Sequence, residues 1–186
     1  NARAKFIAMA SGNLHHWRDR PRAETPRGAY LDTCAKKKMV PEPLRLVERS
    51  HRYKGAATAA SWGCVDLSGF GVADERGAAV AHSICLLPSI SSVIVPGNRM
   101  GRLTAAALFG SSHFSPHIHT VNIACNRLGA RGCISIAKAL RARRCRLHSL
   151  DVSHNNIRDE GLLAIVAALR TNRRSCLFRL FVSFRL

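Results

Sequence analysis

The residues with the most chemistry to offer in this sequence are arginines, and their spacing gathers them into clusters. Arg141, Arg143, Arg144 and Arg146 crowd one short stretch, Arg170, Arg173 and Arg174 another, and Lys36, Lys37 and Lys38 form a run nearer the N-terminus. A guanidinium group makes paired hydrogen bonds to carboxylates and phosphates, so the chemistry on offer is the capture of anions. The ordinary reading of any single arginine is a solvated face or a complement to a helix C-terminus. The clusters occur in a chain with 29 basic and 11 acidic residues, a net charge of +18. They point together to an anionic partner, either RNA phosphate or an acidic protein surface.

Other chemistry has less support. His113-x3-His117-x-His119 has a spacing that could suggest a metal, but Pro116 interrupts it and no cysteine lies close in sequence. It reads as a polar turn, and no metal site is expected. His15-His16 is weaker still. The cysteines, at 34, 64, 85, 125, 133, 145 and 176, are odd in number and contain no C-x-x-C. That suits a reducing, intracellular setting better than a disulfide framework. Cys85, Cys125 and Cys133 are expected as compact core groups. No phosphate-binding glycine loop, H-E-x-x-H or G-x-S-x-G is present, so neither an enzyme nor a cofactor is expected. No nucleic-acid motif of known type is visible, so sequence-specific readout has no support.

The elements that position these residues follow from an internal repeat. Four short apolar cores, Val65-Asp66-Leu67, Val93-Ile94-Val95, Val121-Asn122-Ile123 and Leu150-Asp151-Val152, begin 28, 28 and 29 residues apart, and Leu180-Phe181-Val182 follows 30 later. Three residues before each core stands a large apolar residue: Trp62, Ile90, Ile118, Leu147 or Leu177. Seven after its start stands Val72, Met100, Leu128 or Ile157. Asn98, Asn126 and Asn155 recur five residues after the core start, and Gly132 and Gly161 follow. Ile136 with Leu140, and Ile165 with Leu169, have the four-residue spacing of one helix face. Each unit therefore reads as strand, turn, helix, turn. One unit cannot bury its own apolar face, so the units must stack, strands forming a parallel sheet and helices a second layer. The recurring asparagine is expected to form a ladder that bonds open backbone groups of neighbouring coils.

The pattern L-x-x-L-x-L-x-x-N-x-L followed by glycine, nearly complete in residues 118–172, resembles the leucine-rich repeat proteins. The long period and helical back resemble their ribonuclease-inhibitor-like subclass. The resemblance covers about residues 62–186. The first unit departs from it, with Phe70 in place of the asparagine, and the second lacks the glycine and has a short helix from Leu103 to Phe109. It implies an α/β leucine-rich-repeat solenoid of about four and a half units, with parallel strands on the concave face and helices on the convex face.

Residues 1–61 stand outside the phase. They carry +8 of the charge and prolines at 21, 26, 41 and 43. They read as a basic irregular N-terminal arm or cap with a short helix between about Leu44 and Ala60. Arg3 and Lys5, ahead of the first acid Asp19, suit an organelle-targeting segment or any basic tail. No stretch is long and apolar enough to span a membrane.

Phasing the repeat places Arg141, Arg143, Arg144 and Arg146 beside Arg170, Arg173 and Arg174 along one edge, and a thinner row of Arg99, Arg102, Arg127, Arg131 and Arg158 at the strand-to-helix turns. The sheet face carries Asp66, Ser68, Asn122, Asp151 and Ser153, which are neutral or acidic. The expected role is a non-catalytic structural scaffold in a large assembly, its arginine edge touching other subunits through RNA, as in an organellar ribosome of the mitochondrion, or through acidic protein. A cytoskeletal protein resting on microtubules is the alternative, and a regulatory protein-binding module a second one.

Overall fold

The computed structural model describes residues 26–39, 47–48, 63–85, 87–88, 90–110, 114–171 and 179–182. Within them the chain alternates strand and helix. Helix α1 (Pro26–Lys36) and strand β1 (Val47–Glu48) precede the repeats. Then come β2 (Cys64–Asp66), α2 (Asp74–Cys85), β3 (Ser92–Ile94), α3 (Arg102–Phe109), β4 (Thr120–Asn122), α4 (Gly129–Arg141), β5 (Ser149–Asp151), α5 (Arg158–Thr171) and β6 (Arg179–Phe181).

Strands β2 to β6 form a parallel sheet in sequence order. Its register aligns Val65, Val93, Val121, Leu150 and Leu180, the residues that the repeat places opposite one another. Strands β2 to β5 each bury their middle residue against the helix layer, while the outer two face the sheet surface. The residue after each strand turns inward again, so Leu67, Val95, Ile123 and Val152 are buried as well. Ile90, Ile118 and Leu147 close the core from the entry side, and Val72, Met100, Leu128 and Ile157 from the exit side. The result is one continuous apolar seam, made by coils that could not fold singly.

The helix layer packs tightly because small residues sit where helices meet. A methyl group on Gly161 would come within 3.0 Å of the Cys133 Cβ and 3.1 Å of the Ala130 Cα. In α4 the buried face is Cys133, Ile136, Ala137 and Leu140, spaced as one helical stripe.

The region before the repeats departs from expectation. The helix expected between Leu44 and Ala60 is corrected at Val47 and Glu48, which form β1, antiparallel to β2 with Val47 opposite Asp66. The rest of that interval lies outside the described residues. Helix α1 occurs earlier and packs on α2. Ala29, Tyr30, Thr33 and Cys34 face inward, at the spacing of a helix face. A buried polar contact ties the two helices: the Ser83 hydroxyl donates to the Thr33 Oγ1 at 2.8 Å and lies 3.1 Å from the Ala29 carbonyl oxygen. Together β1 and α1 cover one end of the sheet and of the helix layer, which answers the open-edge problem of a solenoid.

Candidate anion-binding edge

The solenoid has two edges, and the backbone sets the first. At each strand-to-helix turn the chain leaves backbone groups that no ladder satisfies, and the recurring asparagines take them up. Asn126 is buried. Its Oδ1 accepts the Met100 N–H of the preceding coil at 3.0 Å. Its Nδ2 donates to the preceding coil's Val95 carbonyl at 2.9 Å and to its own coil's Ile123 and Ala124 carbonyls at 3.1 and 2.9 Å. Asn98 repeats the pattern on Val72 and Leu67, and Asn155 on Leu128 and Ile123. The amide thus always serves the coil before its own. Phe70 holds the corresponding place in the first repeat, which has no repeat coil before it, and it is exposed.

The same edge carries a cap that the sequence pattern does not announce. Helix α3 begins after Gly101, which has no side chain to cap it, and the carboxylate of Asp74 reaches across from the preceding coil. It accepts the N–H groups of Gly101, Leu103 and Thr104 at 2.7, 3.1 and 2.8 Å. Burial opposes the ionisation of Asp74. The hydrogen bonds from Thr104, Gly101 and Leu103 outweigh it and hold the carboxyl below the usual carboxylate range. Of the second arginine row, Arg99, Arg102, Arg127, Arg131 and Arg158 are exposed at these turns.

The opposite edge is where helices return to strands. After α4 ends at Arg141, the chain is pinned by buried Cys145 and Leu147. Arg143, Arg144 and Arg146 fall between or beside those anchors and are exposed, as is Arg141. One coil further, Arg170 occupies the same repeat position as Arg141 and is also exposed. Arg173 and Arg174 lie outside the described residues. Lys36, Lys37 and Lys38 are exposed at the end of α1. Between Arg76 and Leu150 the sequence contains no acidic residue at all, so the arginines of this stretch have no carboxylate within it.

The sheet face differs. Asp66 and Asp151 each accept the backbone N–H and the hydroxyl of a serine two residues on, Ser68 and Ser153. Asn122 uses its Oδ1 in the same way on Ala124. These side chains are engaged in shaping turns, and the face is mildly acidic to neutral.

Cys125 is exposed, against the expectation of a core position. Its backbone lies in the left-handed region, φ 53°, where the other coils place Gly69, Gly97 and His154. Cys133 is buried and Cys85 partly so. Burial pushes the thiol of Cys85 up to about 11 and that of Cys133 up to about 12, so neither supplies a thiolate at neutral pH. His113 lies outside the described residues. Among the described residues no group of three or more His, Cys, Asp or Glu side chains is placed to hold a metal ion. Also among them, no helix is long and apolar enough to cross a membrane.

The repeat geometry has a counterpart among known families. A family model described as "Leucine Rich repeat" matches residues 114–137 and 145–166, the two most regular coils. Those two coils are leucine-rich repeats, and the fold is that of a leucine-rich-repeat solenoid. Among solved structures, the leucine-rich-repeat chain is similar to one titled "Leiomodin-1 Actin-Binding Site 2 (ABS2)". The TM-score is 0.57 at 17% identity, covering 68% of this chain and 73% of that one. At that identity the likeness is one of fold. No curated protein matches by sequence.

Proposed function

We propose that this leucine-rich-repeat chain is a non-catalytic interaction scaffold that docks the exposed arginines of its α4–β5 edge onto the acidic surface of a protein partner. The observation that carries the reading is the separation of charge. Arg141, Arg143, Arg144, Arg146 and Arg170 are exposed along one edge, in and beside a stretch without acids. The sheet face, by contrast, holds Asp66 and Asp151 in turns. Leucine-rich repeats serve protein interaction, which suits this reading. The structural neighbour is titled as an actin-binding site, which supports a cytoskeletal setting for the partner. The long period and helical back support placement in the ribonuclease-inhibitor-like subclass. RNA in a ribosome-like assembly is the second reading, because phosphates accept the same paired guanidinium bonds as carboxylates.

The test is co-sedimentation with polymerised actin and with microtubules, before and after nuclease treatment. The reading expects nuclease-resistant association that weakens steeply with added salt. Release by nuclease would replace it with the RNA reading.

A further inference from the structure

Two stretches of the helix-to-strand edge carry the same small pattern, His117-Ile118-His119 and Arg146-Leu147-His148. Each leads out of a turn into its strand. The central residue is buried, Ile118 at 0% and Leu147 at 1% exposure. The outer two are more open to solvent: His117, Arg146 and His148 are exposed and His119 is half-buried. The parallel register brings the stretches side by side. The His119 carbonyl accepts the N–H groups of His148 and Ser149 at 2.7 and 3.1 Å. The two imidazoles stack, ring centroids 5.1 Å apart and planes 18° from parallel. Neighbouring coils in such a sheet are about 4.8 Å apart. The four side chains thus make a two-by-two array, each member cationic or able to become so, with Arg143 and Arg144 just ahead of it in sequence.

The surroundings are poor in negative charge. Nothing between residues 76 and 150 is acidic. Among the described residues, the charged groups near it are Asp151, on the coil of His148 itself, whose Oδ1 is taken by Ser153, and Arg179 on the next coil, whose backbone N–H donates to the His148 carbonyl at 3.1 Å. On the preceding coil the same position is Ser91, which is uncharged.

We propose that this array is a binding site for the carboxylates of an acidic protein segment, and that it takes up protons as the segment docks. The proposal rests on the acidic-protein reading above and adds both a place and a regulation to it. Burial, then His148, Arg146 and His117, hold the His119 imidazole below its ordinary range in the free protein. A docked carboxylate reverses the sign of its surroundings and favours the imidazolium, so binding and protonation assist each other. Docking therefore tightens as pH falls from 7.5 to 5.8, a window above the range in which carboxylates themselves titrate.

The experiment measures binding of fluorescent polyaspartate to the full chain at fixed salt, at pH 7.5 and 5.8. The expected result is affinity about tenfold higher at the lower pH, the effect of roughly one linked proton. His117→Gln/His119→Gln/His148→Gln should bind no more tightly at pH 5.8 than at 7.5. His119→Arg/His148→Arg, charged throughout, should bind tightly at both. A wild-type affinity that does not change with pH, or a slope that survives in the glutamine variant, overturns the array. If that flat binding is still abolished by Arg143→Glu/Arg144→Glu, the arginine edge stands and only the proton linkage falls. If poly(U) binds with the pH slope and polyaspartate does not bind at either pH, the acidic-protein reading itself is overturned.

Discussion

The two edges of this solenoid obey different rules. At the strand-to-helix turns the backbone dictates the side chains. Asn98, Asn126 and Asn155 sit buried because each must answer particular N–H and C=O groups of two coils. At the helix-to-strand turns the backbone needs only its anchors, such as Cys145 and Leu147. The positions between are unconstrained by the fold, and in the third repeat three of them are arginine. A side chain that the fold does not require is better evidence of a partner than one that it does.

That contrast can be broken at either edge. The largest effect is expected from Asn126→Leu, which strands the Met100 N–H and the Val95 carbonyl. It should lower stability by about 3 kcal/mol in chemical denaturation. An unchanged midpoint would mean that the ladder is not what holds the turns. Next, Arg143→Glu/Arg144→Glu should weaken partner binding at least tenfold, about 1.4 kcal/mol, with a thermal melt like that of the wild type. A large loss of stability there would erase the distinction between the edges.

Smaller effects sharpen it. Asp74→Ala should cost about 1 kcal/mol at neutral pH, the usual value for a lost helix cap. Because the folded carboxyl titrates below its ordinary range, its contribution is present above the unfolded value near 3.9 and is lost as pH falls through the depressed folded one. The wild type should therefore lose more stability than Asp74→Asn does between pH 5 and 2, and equal losses would deny the cap its charge. Smallest of all, Cys125→Gly should leave stability within about 0.5 kcal/mol or raise it slightly, since glycine relieves the left-handed backbone while freeing the unfolded chain.

Much of this fold was legible in the sequence because repetition multiplies weak signals. A lone Val121-Asn122-Ile123 means little, but four such cores in phase define the strands, the register and the asparagine ladder. What stood outside the phase was missed. Helix α1 showed its face only in Ala29, Tyr30, Thr33 and Cys34, and β1 is a two-residue strand whose pairing depends on β2 rather than on its own residues. The Asp74 cap was hidden for another reason. Its partners lie 27 to 30 residues away, and a helix-start acid looks the same whether it serves its own helix or the next. Cys125 misled because its position demands a backbone conformation, which a residue name does not disclose. At the candidate site, the arginines of the α4–β5 connection were legible from phasing. The pairing of His119 with His148 was not, since the two are distant in sequence and meet only through the register.

The asparagine ladder also gives the molecule a direction. Each amide closes the turn of the coil before it, so every coil is finished by its successor. Val72 waits on Asn98, Met100 on Asn126 and Leu128 on Asn155. Under a mechanical pull from the β6 end, the coils would come away one at a time, and each departure would open the turn of its neighbour and prime the next. A pull from the α1 end costs different groups: it takes Val72 and Leu67 away from the Asn98 amide, and the Val72 carbonyl away from the Arg99 N–H. The same stack thus opens differently from its two ends: from one the backbone of a turn loses the side chain that closes it, from the other a buried amide loses the backbone it was made to meet.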